Sequence, residues 1–159
     1  MNCFYLEHKP ILTYVEILDK LDNIKMCIQD KDSIIIKGDK YYLYTTPLDS
    51  YWTKRNPKPP IRPTKSTCWR GYIATWEIFK ENLYLVNIIF HAHYGEFGLD
   101  FLFPQNTGKV KADWYTGELK LPLGNELYRE FMEDPVYDSD WFINIKKGKV
   151  IRQQYKANY

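Results

Sequence analysis

Turn residues joining short apolar runs are the feature that most limits the folds open to this 159-residue chain. Gly38-Asp39 separates two apolar runs within residues 34–44, as expected for a two-residue type II′ hairpin. Thr116-Gly117 and Lys147-Gly148 occupy the same position between later runs. Because no helix-length segment separates consecutive strands, neighbouring strands are expected to run antiparallel. The pattern predicts a mostly β fold, an antiparallel barrel-like or sandwich sheet with one or two short helices.

The spacing of apolar residues predicts further elements outside these turns. Residues 69–79 and 83–90 are predicted to form an antiparallel pair, and the composition of residues 11–18 indicates another strand. Residues 125–133, NELYREFME, carry apolar side chains at helical spacing. Asn125 is suited to cap their amino end, so this segment is the best helix candidate.

The register of the predicted hairpin at Thr116-Gly117 can be checked against side-chain chemistry. In that register Asp113 lies opposite Lys120, and Trp114 lies opposite Leu119. An opposite-charge pair and an apolar pair both favour the pairing of two strands. We therefore expect a second hairpin here.

Residues 51–67, YWTKRNPKPPIRPTKST, form the long irregular stretch of the sequence. Four prolines within seven residues keep it extended and remove backbone donors. Loops of this length in compact domains are usually functional or disordered. The chain is accordingly predicted to be one β-rich domain, residues 1–159. Its proline-rich basic loop is predicted either to bind a polyanion, a nucleotide or an acidic protein surface through its cations and aromatic rings, or to serve as a solvated linker.

Charge is nearly balanced over the chain but unevenly distributed along it. The formal net charge is +2 at pH 7, which argues against specific nucleic-acid binding. Residues 50–76 contain six basic side chains and no acid, whereas residues 126–140 contain six acids and one arginine. Such separation indicates a surface that steers a charged partner.

The cysteines and the amino terminus bear on the cellular compartment. Cys3, Cys27 and Cys68 form neither a CxxC motif nor an even disulfide framework. The first ten residues lack the basic and apolar regions of a signal peptide, and no apolar run has the length of a membrane span. A cytoplasmic location without membrane partners is expected.

The run KSTCWRGYIATWEIF, residues 65–79, holds the best candidate binding site. Strand alternation places Arg70, Tyr72 and Trp76 on one face and Trp69 on the other. An arginine beside aromatic rings suits bidentate recognition of phosphate or carboxylate. The alternative is that Arg70 pairs with an internal acid such as Asp113. Six residues are predicted as ligand contacts: Arg70, Tyr72, Trp76, Trp69, Trp114 and Lys65.

Other reactive side chains form no recognisable catalytic or metal-binding motif. His91 and His93 share a strand face, but no third ligand has a diagnostic spacing, so no metal is assigned. Cys68 lies in an acid-free segment that favours a thiolate, although a small buried hydrophobe is the stronger interpretation. Asp113 and Glu118 are candidates for a pair of catalytic carboxylates. No nucleophile or phosphate-loop motif is present, and no catalytic residue or cofactor is assigned.

Several short motifs are grouped around residues 66–78, namely Ser66-Thr67, Trp69-Arg70-Gly71-Tyr72 and Trp76-Glu77-Ile78. They resemble the Ser-Thr-x-x-Trp-Arg-Gly-Tyr-x-x-x-Trp-Glu-Ile core of a small bacterial and phage protein family whose function is uncharacterised. The likeness extends over about two thirds of the chain. It includes Tyr42-Leu43-Tyr44, Leu83-Tyr84-Leu85, Phe103-Pro104, Ala112-Asp113-Trp114 and Gly117-Glu118-Leu119. The resemblance implies one intact domain and carries over no catalytic residues.

These observations predict a non-catalytic protein that binds an anionic small ligand, with a nucleotide as one candidate. Arg70 and the aromatic rings beside it are the basis of that prediction. One alternative is a protein–protein interaction module, such as an immunity or anti-defence protein, using residues 126–140 or the basic loop as its contact surface. The other alternative is an enzyme of unknown class.

Overall fold

One sheet of nine strands dominates the computed structural model, which describes residues 29–60, 68–92, 95–130 and 133–159. Helix in these residues is confined to α1 (Leu99–Leu102) and a 3₁₀ turn at Pro47–Tyr51. The predicted mostly β, sandwich-like fold is therefore confirmed. The strands are β1 (Asp32–Ile36), β2 (Asp39–Leu43), β3 (Tyr72–Phe79), β4 (Asn82–Ala92), β5 (Gly95–Phe97), β6 (Val110–Lys111), β7 (Gly117–Tyr128), β8 (Val136–Lys146) and β9 (Lys149–Ala157).

The sheet consists of two arms joined by few backbone hydrogen bonds. The strand order is β2-β1-β3-β4-β9-β8-β7, with β5 and β6 added to β4. We call β1–β6 the first arm and β7–β9 the second arm. The arms meet where Asn82 pairs with Lys149, and again where the Tyr44 N–H donates to the Lys120 carbonyl at 2.8 Å. The sheet thus folds over on itself without a continuous ladder between β2 and β7 in the described residues.

Three two-residue turns connect antiparallel neighbours, at 37–38, 80–81 and 147–148. Both residues of each turn have positive φ, which defines the type I′ turn favoured between twisted strands. The predicted turn at Lys147-Gly148 and the pairing of β3 with β4 are confirmed. The first turn was predicted one residue too late and as type II′. Asp39 belongs to β2, where it pairs with Ile36.

The predicted hairpin at Thr116-Gly117 is wrong. β6 pairs with β4, and the chain then turns through the Tyr115 N–H bond to the Ala112 carbonyl before β7 pairs with β8. Asp113 contacts Lys111 at 3.1 Å, and Lys120 contacts Asp140 at 3.2 Å. The complementary residues that suggested the hairpin therefore find other partners, because the long apolar face of β7 is matched by β8.

The helix predicted over 125–133 is wrong in its described part, because β7 continues to Tyr128, while residues 131–132 lie outside the described ranges. Two register shifts interrupt its ladder with β8 between Leu123 and Tyr128. Each shift breaks the two-residue alternation of a regular strand, so the apolar residues acquire a spacing close to that of a helix. Asn125 does not cap a helix; its N–H donates to the Asp138 carboxylate at 2.8 Å.

A single cluster of buried apolar side chains fills the space between the arms. Inward residues alternate along the strands, as period-two side-chain geometry requires. Burying each large apolar side chain contributes roughly 1.5–3 kcal/mol, so this shared cluster is the main link between the arms. Its members include Ile34, Tyr72, Trp76, Leu83, Leu85 and Ile88 from the first arm and Leu119, Leu121, Ile143 and Ile145 from the second.

Several predictions fall on residues outside the described ranges. These are the strand at residues 11–18, Cys3, Cys27, His93 and the second part of the proline-rich loop, residues 61–67. Residues 53–58 of that loop are described and exposed. Within the described ranges, no helix has both the length and the apolarity needed to cross a membrane.

Candidate functional site

Asp32 is the centre of a buried polar network beneath the predicted site. Its side chain is fully buried at the start of β1. One carboxylate oxygen accepts from Arg70 Nη2 at 2.6 Å and from the Ala74 N–H at 2.9 Å, and the other accepts from Trp76 Nε1 at 3.1 Å. Three donors from one segment thus converge on a single acid.

Arg70 forms a structural ion pair with Asp32. Its Nε also donates to the Tyr72 carbonyl at 3.0 Å, and its side chain is 15% exposed. Burial raises the pKa of Asp32, while the charge of Arg70 and the hydrogen bonds oppose that rise. The sequence-based alternative of an internal ion pair describes this geometry, with Asp32 as the acid in place of Asp113.

Tyr72 connects this network to the 3₁₀ turn. Its hydroxyl donates to Asp49 Oδ1 at 2.8 Å, and the Thr46 hydroxyl donates to the other Asp49 oxygen at 2.6 Å. Burial first, and then the bond to the Asp49 carboxylate, raise the pKa of Tyr72 far above its ordinary value. The hydroxyl therefore stays protonated and acts as a donor. Cations approach the ring, with Arg70 5.1 Å and Lys58 5.5 Å from its centroid.

Aromatic rings pack beside the network rather than opening toward solvent. Trp114 lies 6.4 Å from Trp76 and 4.9 Å from Tyr51 between ring centroids, and it stacks on Phe103. Its indole N–H donates to the Pro47 carbonyl at 3.3 Å. These contacts make Trp114 part of the packing between the 3₁₀ turn and β3.

The structure thus brings only some of the predicted ligand-contact residues together. Arg70, Tyr72, Trp76 and Trp114 lie together. The strand predicted to begin at residue 69 begins at Tyr72, so Arg70 lies in the turn before it and joins the others through its bond to Asp32 rather than by strand alternation. Trp69 is apart from them and 58% exposed, and Lys65 lies outside the described residues. The four gathered side chains all have internal partners, which gives each a role in the fold. Their assignment to a ligand stays a prediction.

His91 and Cys68 occupy buried positions with local partners. His91 Nδ1 lies 3.0 Å from Glu96 Oε1, while its Nε2 is buried without a hydrogen-bond partner in the described part of the chain. The Cys68 thiol donates to the Tyr72 carbonyl at 3.3 Å. A search of the described residues finds no cluster of three or more potential metal ligands. The buried thiol agrees with the interpretation of Cys68 as a small core residue.

A separate cavity of about 420 Å³ lies on the opposite face of the second arm. We call it the Lys156 cavity. Residues from β7, β8 and β9 and from the segment after β2 converge there, so no contiguous motif marks it. The alternation of polar residues along β7 and β8 is the only trace of it in the sequence. Its lining includes Tyr44, Lys120, Asp140, Phe142, Lys156 and Asn158.

The Lys156 cavity is lined by two lysines and two aspartates, and one of these lysines has no acidic partner among the described residues. Asp140 is satisfied by Lys120 at 3.2 Å and by Asn158 Nδ2 at 2.9 Å. Asp134, also in the lining, pairs with Lys31 at 2.6 Å. Lys156 forms no ion pair with any described residue, although β9 places it opposite Asp140 in the register. Its ammonium group is therefore the cation left for a ligand.

Tyr44 supplies a neutral aromatic wall to the same cavity. Its hydroxyl donates to the Pro135 carbonyl at 3.3 Å. Burial, followed by the neighbouring Tyr137 and Asp134, raises the pKa of Tyr44 far above its ordinary value, so the hydroxyl remains protonated. Lys31 lies 5.0 Å from the ring centroid.

Three of the six acids in segment 126–140 are neutralised by internal ion pairs. Glu126 pairs with Arg129, whereas Asp138 accepts from the neutral Asn125 and keeps its charge. Asp134 and Asp140 have the lysine partners described above. Internal pairing therefore weakens the case for this segment as the contact surface of a basic partner.

Comparison of the chain with protein-family models, with curated proteins and with solved structures finds no match. The resemblance drawn from the sequence motifs therefore stays a prediction.

Proposed function

We propose that the protein binds a small organic anion in the Lys156 cavity and acts as a non-catalytic binding protein. The supporting observation is Lys156, a lysine without an ion-pair partner in the described residues, at the wall of a cavity that also has aromatic surface. This keeps the ligand class predicted from sequence and moves its location from β3 to the second arm.

The size and lining of the cavity favour a ligand with a charged group and a flat apolar part. A volume of about 420 Å³ lies in the range of small-molecule sites. Lys156 provides a donor for phosphate or carboxylate, while the half-buried rings of Tyr44 and Phe142 provide apolar contact. A nucleoside monophosphate has both chemical features and is the first candidate.

Arg70 is less suited to be the primary anion contact. Asp32 already neutralises it inside the protein, and removing that contact would leave a fully buried carboxylate without its charged partner. An anion that drew Arg70 away would therefore have to offset a cost of several kcal/mol. Lys156, by contrast, forms no ion pair with a described residue, so binding an anion there would not leave a buried carboxylate without its partner.

The proposal is tested by calorimetric titration of nucleoside monophosphates, inorganic phosphate and citrate. Lys156→Ala should weaken binding about tenfold or more, the effect of losing one charge-assisted contact. Lys149→Ala, on the same strand but outside the cavity lining, is the matched control and should change affinity less than about twofold. The proposal is wrong if no anion of the panel binds, or if the two variants bind equally.

A further inference from the structure

β9 presents an open edge at the boundary between the two arms. It pairs with β8 along its whole length but with β4 only at Lys149. From Ile151 to Ala157, no described strand pairs with its other side, and every side chain is exposed. A strand edge of this kind can accept another extended chain through backbone hydrogen bonds.

The backbone groups available at this edge follow from the hydrogen bonding to β8. The Asn158 N–H donates to the Asp138 carbonyl, so it points toward β8. Because successive residues of a strand point their N–H and C=O groups to opposite sides, Gln154 and Lys156 also point toward β8. Gln153 and Tyr155 therefore direct their N–H and C=O groups to the open side.

The side chains of the edge differ between its two faces. Tyr155 lies opposite Trp141 and stacks on it at 5.3 Å, while remaining 66% exposed. Arg152 and Lys156 lie on the other face, opposite Asn144 and Asp140. One face of the edge is thus aromatic and the other is basic.

The positive charge of this edge favours a foreign acidic partner over a second copy of the chain. Residues 146–156 contain five basic side chains and no acid. Two copies paired through this edge would bring those charges together, and lysine on edge strands is a known protection against self-pairing. An acidic strand would instead be attracted, because the same cations that repel a copy complement it.

We propose that the β9 edge binds an extended acidic segment of a partner protein by strand addition. The segment would alternate acidic residues, which lie beside Arg152 and Lys156, with apolar residues, which lie beside Tyr155. The site is a protein-docking surface that shares Lys156 with the Lys156 cavity, whereas Arg152 lies outside the lining of that cavity.

The first experiment measures the fluorescence anisotropy of a labelled peptide alternating glutamate and valine over nine residues. We expect saturable binding to the full chain, at least tenfold tighter than that of the matching lysine–valine peptide, and weaker at high salt. Arg152→Glu should weaken it at least tenfold. Lys40→Glu, at an exposed position on β2, should leave it within about twofold. Failure to bind at millimolar peptide, or equal binding of both peptides, overturns the proposal.

A second variant separates backbone pairing from charge attraction. Gln153→Pro removes an outward N–H while leaving the ladder to β8 intact, so the thermal midpoint should fall only slightly and peptide binding should be lost. Retained binding by a folded Gln153→Pro protein would overturn strand addition. Sedimentation velocity of the unmodified chain tests whether a second copy of the chain occupies this edge instead. A concentration-dependent dimer abolished by Gln153→Pro would assign the edge to a second copy and also overturn the proposal.

Discussion

Asp32 shows how one buried carboxylate can determine the roles of several neighbours. Its three donors are Arg70, Ala74 and Trp76, so one carboxylate positions three residues of a short segment through hydrogen bonds. Removing one partner of such a buried pair leaves an uncompensated charge in a medium that solvates it poorly. The residues that looked most like ligand contacts are therefore also those on which local stability depends.

Arg70→Ala is expected to lower the free energy of unfolding by about 3–5 kcal/mol at neutral pH. The loss should be smaller at acid pH. Since burial raises the pKa of Asp32, the folded protein binds that proton more tightly than the unfolded chain does. Below the ordinary pKa of an aspartate, protonation of Asp32 therefore stabilises the folded protein. This stabilisation is lost as the pH rises through the raised pKa of Asp32 in the folded state. Removing Arg70 raises that pKa further. Urea unfolding at about pH 5 and about pH 8 measures the difference.

Lys109→Ala is the matched control for this experiment. Lys109 pairs with Glu77 at 2.7 Å, but both side chains are partly exposed. Its loss should cost about 1 kcal/mol or less and show little dependence on pH over the same range. Equal costs for the two variants would contradict the structural role of the Arg70–Asp32 pair.

The sequence offered an internal acid as the alternative partner of Arg70, but it did not identify Asp32. Strand alternation places Tyr72 and Trp76 on one face because it depends only on local geometry, whereas Arg70 lies in the turn before β3. The partner lies 38 residues away on a strand parallel to β3. Pairing across such a separation depends on the order of strands in the sheet, which no local pattern contains.

At the scale of secondary-structure elements, the turn at Lys147-Gly148 and the β3–β4 pair were predicted correctly, whereas the hairpin at Thr116-Gly117 was not. A turn at Lys147-Gly148 depends on two residues, and their positive φ values follow from local chemistry. The strand at 117–128 depends on β8, because its bulges disguise the strand period and only the cross-strand partner maintains the ladder. The Lys156 cavity depends on several such elements, so it could not be predicted.

Gly148→Ala should destabilise the protein more than Gly38→Ala does. Both glycines have positive φ, which costs an alanine about 1–2 kcal/mol. A Cβ at Gly148 would also lie 2.8 Å from the Ala112 carbonyl oxygen, whereas one at Gly38 would meet no atom within 4 Å. We expect an additional loss of about 1–3 kcal/mol for Gly148→Ala in chemical denaturation. Similar costs at both positions would contradict the close packing of the β8–β9 turn against the segment after β6.

At the scale of the whole molecule, the shared core should make the two arms unfold together. Leu85 in the first arm and Ile143 in the second are fully buried in one cluster. Leu85→Ala and Ile143→Ala should each cost about 2–5 kcal/mol. Both should shift a single transition seen equally by tryptophan fluorescence and far-ultraviolet circular dichroism.

Leu127→Ala provides the comparison for these core variants, because Leu127 is 42% exposed. Its effect should stay within about 0.5 kcal/mol. Two separate transitions in either core variant would show instead that the arms are independent units joined only at their ends.

The parallel pairing of β1 with β3 has a consequence for how the chain can be divided. The two strands hold each other through a ladder from Ser33–Thr75 to Ile36–Ile78, and the Tyr72 hydroxyl bonds to Asp49 across the same junction. The covalent link between them passes through the exposed residues 53–58. We expect the two fragments left by cleavage there to stay associated through this pairing. A split version of the protein divided at these residues is the form in which complementation of the two halves would be tested.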